Sequence, residues 1–288
     1  MKIAHLLRKY NPAEWGGTET ALQRLCGGLR QCAVDSVVYC PRIPAGPAGD
    51  DPLAEAGCVV KRFRACVPVW GISPEIKRQM VAVGGNLMSF GLIRALWREP
   101  DLSVVHAHTM GRIGAIGRMA ARARGLPFLI TVHGGVYDLP PALRQSLNAP
   151  AAGGWEWGRL CGLVLRTRKL MTEADAVVTC NAREAELIRE HHPGQRVMTH
   201  PHGLPAAPYQ TDQRAAAVAA FPRLRGRPVL LAIGRIDPVK NQSWLVEQMP
   251  ALIRRHPQLL LVLAGASTDQ GYTETLDRRI NALGLDRH

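Results

Sequence analysis

The chain has 288 residues, 47% hydrophobic and 20% charged, with a formal net charge of +13. That composition excludes a disordered chain and leaves room for two domains with sizeable cores, and no apolar run approaches the ~18 residues of a membrane span. The positive field favours anionic partners. Nucleic acid is set aside, because five Tyr and four Phe offer few stacking faces and no zinc-finger or RNP-type pattern occurs.

The seven cysteines are odd in number and never spaced C-x-x-C, which suits reduced thiols in a cytoplasmic protein. Lys2 to Leu7 (KIAHLL) reads as a first parallel strand, too short and too quickly followed by Arg8 and Lys9 to be a signal sequence. Gly16-Gly17 precedes a helix with Leu22, Leu25, Cys26 and Leu29 on one face and Thr18 as a candidate cap. Strand, glycine loop and helix form a phosphate-binding geometry, although no G-x-G-x-x-G fingerprint is present and a lone Gly-Gly is more often a plain turn.

Ser36 to Cys40 and Cys58 to Phe63 read as the next two strands, separated by a Pro- and Gly-rich loop from Pro41 to Pro52. A helical segment spans about Ser73 to Trp97, loosened near Gly84-Gly85. Ser103 to His108 (SVVHAH) is a strand ending in two histidines. The following helix, Gly111 to Arg124, has Arg118 and Arg122 on one face, suited to solvent or to an anionic membrane surface.

Pro127 to Val132 is a strand followed at once by His133-Gly134-Gly135, a histidine well placed to touch a ligand beyond a strand's carboxyl end. No three of these histidines show metal-ligand spacing. Asp138 to Gly154 is an irregular candidate lid. Trp155 to Met171 reads as one helix whose tryptophans and arginines fit either a membrane interface or core packing. Ala174 to Thr179 is a strand, and Asn181 with Glu184 forms a capping-box pattern for the helix to His191.

Leu204 to Pro228 reads as a boundary. Beyond it Val229 to Ile233 is a strand expected to be buried. It leads through Gly234 into a loop with Arg235 and Lys240, then a helix from Asn241. Leu259 to Ala264, ending at Gly265, and a helix from about Tyr272 to Leu283 complete the chain. Two cations near a helix N-terminus suit a diphosphate that gains charge as its bond to a sugar breaks, and solvated loop charges are the plain alternative.

Taken together in order, Gly16-Gly17-Thr18-Glu19, His106-Ala107-His108, Thr131-Val132-His133-Gly134, Asp175-Ala-Val-Val-Thr and Gly234-Arg235…Lys240 resemble glycosyltransferase family 4. The resemblance implies an α/β, GT-B-like fold of retaining enzymes, with two Rossmann-like parallel-sheet domains facing a cleft. Residues 1–205 would be the acceptor-side domain, 206–227 the linker and connecting helix and 228–288 an incomplete donor domain, because the family's E-x7-E segment would lie downstream of His288. It implies a nucleotide-diphospho-sugar donor, a hexose transferred to an unidentified acceptor, and no metal or other cofactor.

In that reading His133, Arg235 and Lys240 are catalytic, and Gly16, Gly17, Gly234 and Gly265 join the two cations at the donor. Glu19, His106, His108, Tyr137 and Asp138 are acceptor-side candidates. The competing readings are a non-catalytic remnant without a complete donor site, a nucleotide-sugar epimerase of the same build, and a basic module that sits peripherally on the inner membrane surface.

Overall fold

The computed structural model describes the chain except residues 13–14, 43–50, 136, 138–153 and 268. Most of the loops Pro41–Pro52 and Asp138–Gly154, and with them the candidate Asp138, lie outside the described residues. The chain divides into two compact units, Met1–Leu204 and Pro205–His288.

In the first unit seven strands form one sheet in the order β3-β2-β1-β4-β5-β6-β7. They are β1 (Lys2–Leu6), β2 (Asp35–Pro41), β3 (Val59–Phe63), β4 (Leu102–Ala107), β5 (Phe128–Val132), β6 (Ala176–Thr179) and β7 (Val197–Thr199), all pairing in parallel. Parallel sheets are covered on both faces, so their strands read as continuous apolar runs, and the valine-rich segments of this half behave accordingly.

Alternation along the strands sends successive side chains to opposite faces. Val38 and Cys40 join Leu22 and Cys26 of α1 (Gly17–Gln31) in one apolar cluster beside α2 (Pro52–Glu55). Val37, Tyr39, Val105 and Ile130 belong to the larger cluster, with Met80 of α3 (Pro74–Val83), Leu92 and Leu96 of α4 (Phe90–Arg98) and Ile113 and Ile116 of α5 (Gly111–Ala123). The strand order reverses between β1 and β4. At such a switch point the connecting loops leave to opposite faces and open a crevice beyond the strands' carboxyl ends.

Several expected boundaries change. The segment from Ser73 to Trp97 is two helices. Ser73 and Ser89 each cap a new start through a side-chain oxygen, and Gly84 closes the first helix in the left-handed region. Trp155 to Met171 is not one helix: α6 covers only Gly158–Val164, and a 3-10 turn at Thr167–Lys169 follows Arg166, whose φ is 49°. Thr18 does not cap α1. Gly16 occupies that position in extended conformation and provides no side chain, so Thr18 lies inside the first turn. Helix α7 (Ala182–His191) follows β6.

The second unit holds α8 (Ala207–Gln210), α9 (Arg214–Ala220), β8 (Val229–Ile233), α10 (Gln242–Arg255), β9 (Leu260–Ala264) and α11 (Gln270–Ala282). β8 and β9 pair in parallel. Val246 and Met249 of α10 and Leu276 of α11 pack with Leu261 and Leu263 of β9. β8 is not the buried strand expected: Ile233 is 81% exposed, because the helical cover lies on β9. Among the described residues no helix is long and apolar enough to cross a membrane.

Candidate functional site

The parallel register of β1 and β4 sets His5 opposite His106, and the period of two along β4 brings His108 to the same face. His5 Nδ1 lies 3.1 Å from His108 Nε2, and His108 Nδ1 lies 3.1 Å from His133 Nε2. The three rings therefore form a hydrogen-bonded line from the middle of β1 to the end of β5. His106 stands beside it, 2.7 Å from the Thr131 hydroxyl, and His202 stacks on His133 with ring centroids 5.4 Å apart.

His5, His106 and His108 are buried, and burial disfavours the charged imidazolium. It holds His5 and His108 well below the usual histidine range, with repulsion from His106 as a further cause. Burial first and a neighbouring histidine second bring His106 and His133 down to about 4. At neutral pH each ring is thus neutral, with one N–H to donate and one lone pair to accept. His133 is therefore an uncharged ring at neutral pH, not a cation.

The turn after His133 is fixed by a residue the sequence assigns elsewhere. Asn181 accepts from the Glu184 amide at 2.7 Å, as a capping box requires, but the fully buried Glu184 carboxylate accepts from the Gly135 amide at 3.2 Å. Gly134 takes φ 100°, a left-handed value that suits glycine. The Tyr137 hydroxyl bonds His192 and its ring stacks on His191, so this acceptor-side candidate is held against the end of α7. Burial, then the Glu184 charge, raises its hydroxyl above the ordinary tyrosine value.

At the start of α1, a Cβ added to Gly16 would meet Glu19 Oε2 at 2.8 Å, whereas one at Gly17 would meet nothing within 4 Å. Gly17 thus leaves open space at a helix N-terminus without a side-chain cap, where amides and dipole favour an anion. The Glu19 carboxylate is buried in the first turn, closed over Gly16.

In the second unit the basic loop is more organised than its sequence suggests. Arg235 pairs with Asp237 at 3.7 Å, so one of the two cations has an acidic neighbour. Asp237 also caps the 3-10 turn Pro238–Lys240 by accepting from the Val239 amide, and Asn241, with φ 53°, turns the chain into α10. Gln242, buried, donates to the Arg235 carbonyl at 2.7 Å and accepts from the Asp237 amide at 3.5 Å. Lys240 is exposed, and its stem folds back beside Gly234. Gly265 is required by contact: a Cβ there would lie 2.0 Å from the Gly234 carbonyl oxygen. In α10 the first-turn amide of Ser243 donates to the Tyr272 hydroxyl.

His5, His106 and His108 each bring one nitrogen within 4.8 Å of the others, a three-donor group that sequence spacing missed because β1 lies a hundred residues from β4. The donor set fits a divalent ion poorly. Among the described residues no carboxylate joins it to offset buried positive charge, and His5 Nδ1 and His108 Nε2 are already engaged with each other.

The expected basic face of α5 is split: Arg122 stays 62% exposed, whereas Arg118 is turned inward. Arg118 is buried and pairs with Glu173, which also takes Arg122 and Arg166, while Arg112 pairs with Glu156. Trp155, Leu160, Leu163 and Val164 do stand exposed, with Trp155 against Trp70.

The family model for the glycosyl transferase 4-like domain matches residues 16–203, and that for glycosyl transferases group 1 matches residues 215–288. The chain is 29% identical over 232 residues to the D-inositol 3-phosphate glycosyltransferase of Nocardiopsis dassonvillei, covering 72% of this chain and 51% of that protein. It is 27% identical over 304 residues to a glycogen synthase of Mycobacterium tuberculosis, covering 100% and 67%. Among solved structures, Anabaena HepE in complex with UDP and glucose superposes with a TM-score of 0.63 at 16% identity, over 99% of this chain and 67% of that one, a likeness of fold. The chain spans about half the length of the first of these relatives.

Proposed function

The chain belongs to the glycosyl transferase 4-like family, and from that premise we propose that it moves a hexose from a nucleotide-diphospho-sugar to an acceptor with retention. The observation that carries the reading is the basic turn from Gly234 to Lys240, braced by Asp237 and Gln242. Sugar transfer passes through an oxocarbenium-like state while the leaving diphosphate takes up negative charge. Preorganised cations aimed at that charge stabilise the transition state more than the ground state.

Arg235 and Lys240 take the diphosphate, a role a divalent cation plays elsewhere. Gly265 lets the two strand ends meet closely enough to form the turn. The uncapped first turn of α1, with Gly17 leaving space beside it, offers amides to donor oxygens. His133 contacts the transferred sugar as a neutral hydrogen-bond partner, because a buried imidazolium would be costly there. Retention without an assigned carboxylate nucleophile places most of the catalytic weight on leaving-group stabilisation.

The test is calorimetric titration of the 288-residue chain with nucleoside diphosphates and diphospho-sugars, followed by product analysis with and without acceptor. Donor binding and acceptor-dependent product are expected. Arg235→Ala or Lys240→Ala should each lower turnover by roughly 100- to 1,000-fold. Wild-type turnover in both variants would reject the diphosphate assignment, and altered sugar without acceptor would identify an epimerase.

A further inference from the structure

We propose that His5 and His108 are positioning residues for His133: the three rings form one hydrogen-bonded line in which each neighbour dictates which nitrogen carries the proton, so the hydrogen-bonding sense of His133 is set from inside the sheet. The inference deepens, and rests on, the role given above to His133.

The line has three rings and two links, each 3.1 Å between nitrogens. A neutral imidazole has one N–H, and each link needs one N–H and one lone pair. Only two arrangements satisfy both links. In the outward one His5 Nδ1 donates to His108 Nε2 and His108 Nδ1 donates to His133 Nε2. This leaves an N–H at His133 Nδ1 and a bare His5 Nε2. In the inward one both links reverse, leaving an N–H at His5 Nε2 and a bare His133 Nδ1.

Both end atoms, His5 Nε2 and His133 Nδ1, are buried without a partner among the described residues. A buried N–H without an acceptor is the rarer orphan in folded proteins. The His5 end is fully enclosed within the sheet, so an N–H there gains nothing from a ligand. The His133 ring, by contrast, is only partly buried, so its end of the line is the one a ligand oxygen can approach. The outward arrangement is therefore the stable one, and His133 is an Nδ1–H donor, the sense that suits a sugar or phosphate oxygen.

The line is not a proton wire. Converting one arrangement to the other moves a proton across each link, but it also needs one proton to enter at His133 Nδ1 and one to leave from His5 Nε2. Among the described residues His5 Nε2 has no group to pass it to. The arrangement is locked, and that is what makes it a positioning device.

The test uses the full chain with 15N-labelled histidine and long-range proton–nitrogen correlation spectra. In the unmodified protein His133 should show a protonated Nδ1 and a bare Nε2, with nitrogen–nitrogen couplings across both the His5–His108 and His108–His133 bonds. His108→Phe should release His133 into a mixture of tautomers. His5→Phe, which leaves His133 and its direct neighbour in place, should shift the mixture in the same sense. Thr131→Val should leave the His133 nitrogens unchanged, because the Thr131–His106 pair stands beside the line.

An Nε2-protonated His133, missing couplings, or a His133 pattern indifferent to His108→Phe would overturn the proposal. So would micromolar zinc shifting the His5, His106 and His108 signals together, which would make the cluster a metal site. If the phenylalanine variants do not fold, the couplings in the unmodified chain decide. In a transfer assay His5→Phe should lower kcat about tenfold with KM unchanged, the pattern of an interaction made only in the transition state. The spectra need no turnover. A chain that shows the expected tautomers but no transfer therefore contradicts the transferase reading and leaves the line intact.

Discussion

The first unit encloses its polar chemistry, and the second displays it. In the first, imidazoles and the Arg118–Glu173 pair are packed among strands and helices, with hydrogen bonds and ion pairs substituting for water. In the second, Arg235 and Lys240 stand exposed on a loop braced by a single buried amide, that of Gln242. The difference separates two uses of polar groups. Enclosed groups are tied to the fold, so altering one disturbs stability. Displayed charges are nearly free of the fold, so altering one should disturb only what they bind.

The sharpest way to break this contrast is to remove one charge from each side. Glu173 is the common partner of Arg118, Arg122 and Arg166, and Glu173→Gln would leave a buried guanidinium without its counter-charge. Loss of one member of a buried pair is expected to cost on the order of 3 kcal/mol of stability. Lys240→Ala removes a solvated charge and should change stability by about 0.5 kcal/mol or less. Denaturant unfolding of both variants checks the pair. Similar losses in the two would show that the basic turn is as integral to its unit as the arginine cluster is.

The enclosed side is also tested by pH. The folded values of His106 and His133 lie near 4 and those of His5 and His108 well below the 6.5 of an exposed histidine. Between pH 6.5 and 4 the unfolded chain therefore binds protons that the folded chain excludes. Stability held above pH 6.5 is lost as pH falls through that window, by up to about 1.4 kcal/mol per pH unit for each histidine. Thermal melting from pH 7.5 to 4.5 should show Tm falling with acid, and a flat profile would contradict neutral burial. On the displayed side the corresponding lever is salt, which should weaken diphosphate binding through Debye screening of exposed cations.

How far the sequence carried this reading differs between the same two regions. Strands such as SVVYC and PFLITV were legible because a buried parallel strand is a short β-branched run between turns, and the helix faces because 3.6-residue spacing is local. The order of the motifs also carried the family and the fold class. What stayed hidden depends on register between distant strands. His5 looks like one polar residue in an apolar strand until β4 lies beside it and sets it opposite His106. Glu184 fits a capping box by spacing alone, and only the turn after β5 shows where its carboxylate goes. The burial of Arg118 in α5 is hidden for the same reason, since its acidic partner Glu173 lies about fifty residues further on. The burial expected of β8 assumed helical cover that lies on β9 instead.

The smallest expected effect probes the one place where the displayed site depends on an enclosed group. Gln242 donates to the Arg235 carbonyl and accepts from the Asp237 amide, so one side-chain amide ties together both arms of the basic turn. Asp237 in turn pairs with Arg235 and caps the Lys240 turn, so loosening it reaches both cations. A neutral hydrogen bond is worth about 1 kcal/mol, so Gln242→Ala should weaken nucleoside diphosphate binding by about fivefold, measured by calorimetry, and leave the Glu173 cluster untouched. Gln242→Glu keeps the acceptor but sets a carboxylate oxygen against the Arg235 carbonyl, and should bind no better than the alanine variant. If both variants bind as tightly as the unmodified chain while Arg235→Ala does not, the Asp237 cap alone holds the turn. The displayed site would then owe nothing to a buried polar group.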